Sequence, residues 1–147
     1  KPKSFDNDLD VIIDNSWLKI ATSKNYHHFF PKSWMAKNQK DIEYFYVNHI
    51  VNITIVDGFL NKNIIKAKSP ATYMKSFLSK NDDLEQTMKT HFIDINEDGI
   101  WENDFDTFYD NRLNRIVKAL NKLVIPQDTS SIELEVYEDI EEETQEI

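Results

Sequence analysis

Two adjacent histidines in a short aromatic run closed by a proline, Asn25-Tyr26-His27-His28-Phe29-Phe30-Pro31-Lys32-Ser33, constrain this chain more than any other stretch. Neighbouring side chains of an extended strand point to opposite faces, so His27 and His28 do not share one face of a core. Either one caps a turn while the other fills a gap, or they serve chemistry, because an imidazole exchanges protons near neutral pH. The next segments bear on that choice. Ile50-Val51-Asn52-Ile53-Thr54-Ile55-Val56 reads as a second strand, Asp57-Gly58 as a turn, and Phe59-Leu60-Asn61-Lys62-Asn63-Ile64-Ile65 as a short helical run.

The rest of the chain reads as helices around this unit. Leu9, Ile12, Ile13, Trp17 and Ile20 recur at helical spacing and predict a helix over 8–21, behind a polar lead-in at residues 1–8. Trp34 and Met35 fall in a loop or short helix, and Ile42, Phe45, Tyr46, His49 and Ile50 form a second helical stripe on which His49 reads as a packed, hydrogen-bonded histidine. Ser69-Pro70 signals a helix start, with Tyr73, Met74, Phe77 and Leu78 on one face. Asn81-Asp82-Asp83 starts another, buried through Leu84 and Met88. The longest spans about 103–123, where Phe105, Phe108, Tyr109, Arg112, Leu113, Ile116, Leu120 and Leu123 keep one face. Arg112, on that apolar stripe, is expected to pair with an acid, and Arg115 and His91 read as structural. The expected fold class is α+β, a small two-stranded core surrounded by several helices.

At 147 residues and 40% hydrophobic content the chain suits one domain, expected over 1–125, with 126–147 as an acidic C-terminal tail or linker. Within the tail Ser130-Ser131-Ile132-Glu133-Leu134-Glu135-Val136-Tyr137 alternates like a strand. No cysteine is present, which excludes a disulfide scaffold and a thiolate zinc site and fits a reducing, cytoplasmic setting. No run approaches the ~18 apolar residues of a membrane helix, so no membrane partner is expected. A net charge of −9 argues at first against nucleic acid. Its distribution reverses that argument. Residues 123–147 hold nine acids and no base, leaving 17 acids and 17 bases elsewhere, and residues 24–80 hold nine lysines against Asp41, Glu43 and Asp57.

A strand with His, a strand with Asn and a helix with Asn, in that order, resemble the ββα-metal core of His-Asn-His (HNH) nucleases. The likeness extends through His27-His28-Phe29-Phe30-Pro31-Lys32-Ser33, Asn52-Ile53-Thr54-Ile55, Asn61-Lys62, Lys68-Ser69-Pro70-Ala71-Thr72-Tyr73, Thr90-His91-Phe92-Ile93 and the Asp104-Phe105-Asp106-x-Phe108-x3-Arg112-x3-Ile116 pattern. Over about residues 25–122 these segments resemble the C-terminal nuclease domain of GmrSD-type, modification-dependent restriction proteins. The resemblance implies a bacterial DNA endonuclease module of anti-phage defence, working with a ParB-like, NTP-using domain that lies N-terminal in the parent protein or in a partner subunit.

It also implies roles. His28 is the general base, Asn52 the orienting residue, and His27 and Asn61 the ligands of one divalent ion, Mg²⁺ or Mn²⁺. Lys62, Lys66 and Lys68, just after the ligand helix, read either as DNA-phosphate contacts or as solvated surface lysines. The family pattern leads with an acid where this chain has His27. An imidazole there makes the site softer and less anionic, which favours Mn²⁺ or another transition ion. The competing expectation is a nuclease-like binding or assembly module without catalysis. A further run, Asp94-Ile-Asn96-Glu-Asp98-Gly99, matches the opening of an EF-hand loop, but Phe105 stands where the bidentate carboxylate belongs, so it reads as a cap for the long helix rather than a calcium site.

Overall fold

The computed structural model describes residues 1–7, 9–13 and 26–124. They form a small α+β fold with one two-stranded antiparallel sheet and several helices. Strand β1 (Tyr26–His28) pairs with β2 (Ile53–Ile55) in the register His27↔Thr54 and His28↔Ile53. Between them lie α1 (Lys32–Asn38), α2 (Tyr44–Asn48) and a 3-10 turn, Ile50–Asn52. After β2 come a π-helical turn, Leu60–Ile65, then α3 (Pro70–Leu78), α4 (Leu84–Lys89) and α5 (Phe105–Leu123).

The local chemistry of the helix starts is plain. The Ser69 side chain accepts from Thr72 N, Pro70 occupies the first turn, and Asp104 caps α5 by accepting from Thr107 N at 3.1 Å and from the Thr107 hydroxyl at 2.6 Å. Gly99 takes φ +60°, where a Cβ would meet Asp104 Cβ at 2.8 Å, so the turn into α5 tolerates no larger residue without rearrangement.

The core is aromatic. Leaving β1, the chain drives Phe29 and Phe30 inward between α3 and α5. Phe29 stacks on Phe108 at 4.8 Å and 8°, and Phe30 meets Phe105 edge-on at 5.3 Å. The Tyr73 hydroxyl donates to Phe29 O at 2.6 Å, fixing the exit of the histidine strand against α3.

Several expectations are corrected. Residues 9–13 are not helical. The lead-in instead folds back through a Lys3↔Asp10 bridge, with Ser4 N bonded to Leu9 O, and the remainder of the helix predicted over 8–21 lies outside the described residues. Nor is the lead-in merely polar. Phe5 is fully buried, edge-on to Phe77 and His91, and the segment is also tied down by Lys3 N donating to the Thr90 hydroxyl at 3.0 Å and Asn81 Nδ2 donating to Phe5 O at 3.2 Å. The second strand is shorter than predicted, because Ile50–Asn52 closes as a 3-10 turn with Val51 N bonded to His49 Nδ1, so Asn52 precedes β2 rather than lying on it. Helix α2 is only one turn long, and Phe45, Tyr46 and Ile50 of its apolar stripe are exposed. Arg112 pairs with no acid at salt-bridge distance among the described residues. Instead it donates to three backbone carbonyls, those of His91, Val51 and Ile53. The tail at 126–147, including its strand-like run, lies outside the described residues.

His49 is hydrogen-bonded, its Nδ1 accepting from the Tyr109 hydroxyl at 2.9 Å. The calcium-like run is committed elsewhere. Buried Asp98 holds Arg115 through both oxygens at 2.6 and 2.7 Å and accepts from Asp94 N at 2.9 Å. His91 is buried against Lys3 O at 2.8 Å, and burial lowers its pKa to about 4 from 6.5. A fold that favours the neutral ring gains stability above pH 6.5 and loses it as pH falls from there towards 4. We expect His91→Gln, which keeps an N–H for the Lys3 carbonyl without a titrating ring, to flatten the acid limb of stability against pH by roughly 1 kcal/mol per pH unit. Parallel wild-type and variant curves from urea denaturation at stepped pH would refute this.

A candidate metal-binding nuclease centre

The centre begins with strand alternation. On β1 Tyr26 faces solvent, His27 is buried and His28 is half-buried. His27 is 3% exposed, and its Nε2 has no hydrogen-bond partner among the described residues. Its pKa falls to about 3, chiefly by burial, then by the neighbouring His28 ring, while a side-chain hydrogen bond with Asn61 pulls the other way. His27 is therefore a neutral ring with a lone pair or an N–H turned into the interior, the kind of buried polar atom that normally finds a partner.

Asn61 reaches that ring from the π-helical turn after β2. The turn is widened by an i→i+5 bond, Lys66 N to Asn61 O at 2.9 Å, and Lys66 ends it at φ 53°. Strand, strand and helical turn thus bring His27 and Asn61 together across more than thirty residues of chain.

His28, on the other face, carries a lowered pKa. Burial is the main cause, the Lys32 charge adds to it, and a hydrogen bond with Asn48 opposes it. Asn48 Nδ2 donates one of its two hydrogens to Tyr44 O at 2.8 Å, and a bond that favours the charged ring is one in which a His28 ring N–H donates to the carboxamide oxygen. That fixes one ring nitrogen as donor and leaves the other as a base.

Asn52 is fully buried and uses every polar atom of its side chain on the loop that follows β1. Its Oδ1 accepts from Phe30 N at 2.8 Å, and its Nδ2 donates to Phe30 O at 3.1 Å and Val47 O at 2.9 Å. Its own backbone oxygen accepts from Phe29 N at 2.8 Å. The turn carrying Asn52 is held in its turn by Arg112, whose guanidinium bonds to the carbonyls on both sides, Val51 O and, at 2.9 Å, Ile53 O. Burial lowers the Arg112 pKa to about 10, still charged at neutral pH.

Lys62, Lys66 and Lys68 are exposed, on the Asn61 turn and just beyond it. Lys32, Asn48, Tyr73 and Arg112 complete the surroundings and were not assigned to the site from the sequence. The signal available was that Lys32, Tyr73 and Arg112 stand in segments that carry the resemblance. Asn48 carried none, because its partner lies in another element.

A nitrogen from His27 and an oxygen from Asn61 suit a borderline divalent ion, and the unpartnered buried Nε2 is where such an ion fits. Among the described residues no three His, Cys, Asp or Glu side chains gather into a closed metal cage. No helix of the described residues is long and apolar enough to cross a membrane. Comparison with protein-family models, with curated proteins and with solved structures found no match to this chain.

Proposed function

We propose that this chain is a metal-dependent DNA endonuclease module with a ββα-metal centre, of the kind found in HNH-type restriction proteins. The observations that carry the reading are the buried Nε2 of His27, without a hydrogen-bond partner among the described residues, and the approach of Asn61 to the same side chain from the following helical turn, while His28 presents a second imidazole on the other face of the same strand. In this reading His28 takes the proton of the attacking water, its donor nitrogen held by Asn48. Asn52 keeps the exit of β1 in place, and with it the direction of the His28 ring. His27 and Asn61 hold the ion, which when bound supplies Lewis-acid stabilisation of charge on the scissile phosphate and the leaving oxygen. Lys62, Lys66 and Lys68 bind flanking phosphates as solvated point charges. A ParB-like NTPase domain, in the parent protein or as a partner subunit, would select the DNA to be cut, consistent with a role in defence against phage.

The test separates binding from chemistry. Mn²⁺ should raise the thermal midpoint of the chain and support plasmid nicking. His27→Ala and Asn61→Ala should each remove the midpoint shift, with affinity reduced about 10- to 100-fold. His27→Asp should move the preference towards Mg²⁺, since a carboxylate is the harder ligand. A shift that survives both alanine variants sinks the assigned ion site. The second reading, a binding module without catalysis, is favoured by the imidazole at position 27 in place of a carboxylate. Stabilisation by a partner protein but by no divalent ion would decide for it.

A further inference from the structure

Helix α2 is a five-residue turn that spends three consecutive large rings on solvent. Tyr44, Phe45 and Tyr46 are 73%, 63% and 42% exposed, and Ile50 just beyond them is 65% exposed. Isolated apolar residues at a surface are ordinary, but a continuous aromatic face marks a binding surface. Phe45 and Tyr46 are ordered by ring contacts. Phe45 lies edge-on to Tyr46 at 5.3 Å, Tyr46 edge-on to Tyr109 at 5.4 Å, and Phe45 is tilted on His49 at 5.4 Å. Lys32 Nζ stands over the Tyr44 ring at 5.6 Å, so a cation lies against the first of the three rings. The next residue along the helix but one, Asn48, is bonded to His28, so the face is continuous with the candidate base.

We propose that the α2 face is a stacking platform for unpaired nucleotides, and that the substrate passes His28 as a single-stranded segment. The inference rests on the nuclease reading above and specifies its substrate. Two features select this occupant over an apolar protein partner. The face carries Lys32 and belongs to a stretch, residues 24–80, with nine lysines against three acids, which complements a phosphate backbone. It also adjoins the group assigned to phosphodiester chemistry. A paired duplex keeps its base faces stacked inside, offering these rings nothing to stack on. Unpaired bases offer a face each, and rings interleaved with lysines are how such strands are gripped without regard to sequence.

The experiment uses the whole chain carrying His28→Ala, with EDTA present, so that binding is read without cleavage. Fluorescence anisotropy measures affinity for labelled oligo(dT) and for its duplex with oligo(dA). Oligo(dT) should bind more tightly. The double variant Tyr44→Ala/Phe45→Ala should lose about 30-fold for oligo(dT) while staying within about twofold for the duplex. Tyr44→Leu/Phe45→Leu, which stays apolar but cannot stack, should lose nearly as much. Unchanged oligo(dT) affinity in the alanine variant, an equal loss on both ligands, or full retention by the leucine variant overturns the platform. So does a dimer that dissociates in the variants while oligo(dT) binding persists, since the face then joins copies of the chain. A chain that cleaves but binds oligo(dT) equally with and without the rings overturns this inference alone. One that binds through the rings yet hydrolyses nothing with any divalent ion overturns the nuclease reading alone.

Discussion

Replacing His28 by alanine should lower the rate of plasmid nicking roughly 10³-fold while leaving the thermal midpoint close to that of the wild type. The ring is half-buried, so its removal sacrifices little packing. Its chemistry is harder to replace. Burial, reinforced by Lys32, keeps the imidazole neutral where an exposed histidine would begin to protonate, and the hydrogen bond with Asn48 moderates that shift and orients the ring. A neutral, oriented imidazole is ready to accept a proton, whereas alanine leaves water to find a weaker base. Single-turnover nicking with saturating Mn²⁺ measures the loss free of DNA binding and product release. Equal rates for variant and wild type would take His28 out of the mechanism.

The largest expected effect on stability comes from Arg112. Its guanidinium serves the carbonyls of His91, Val51 and Ile53 in surroundings that leave it 4% exposed. Arg112→Met retains much of the volume but strands these acceptors away from water. Each orphaned carbonyl costs on the order of 1 kcal/mol or more, so a loss of about 3–4 kcal/mol is expected. Arg112→Lys should fall between, because one ammonium does not span acceptors arranged for a planar fork. Urea denaturation measures both variants. A loss below about 1 kcal/mol for methionine would mean that water or a shifted backbone replaces the clamp. The same variant should nick DNA more slowly even where it is fully folded, because Val51 and Ile53 flank the Asn52 that fixes the exit of β1.

What could be read in advance depended on whether the cause was local. Ser69-Pro70 announces its helix because a cap acts within one turn, and the structure places α3 behind it. Tyr26-His27-His28 makes a strand of alternating exposure for the same reason. The spacing of Ile42, Phe45, Tyr46, His49 and Ile50 announces a sided helix but not what the side meets, and most of it meets solvent. Phe5 gave no periodic signal at all, being one ring in a polar segment. The candidate centre divides likewise. His27, His28, Asn52 and Asn61 stand out as residue types in an order, and the structure brings Asn61 to His27 while Asn52 latches the loop beyond His28. Asn48 against His28, and Arg112 against carbonyls some sixty residues away, come from tertiary packing that no window of sequence contains.

The clamp from α5 also sets an order of events in synthesis. Val51 and Arg112 are 61 positions apart, and closing a loop of that length is slow compared with forming a hairpin. A growing chain can pair β1 with β2 early, but the Asn52 turn lacks its guanidinium until α5 has left the ribosome and docked. The support of the Asn52 turn, and with it the proposed centre, is therefore incomplete in any product that ends before α5.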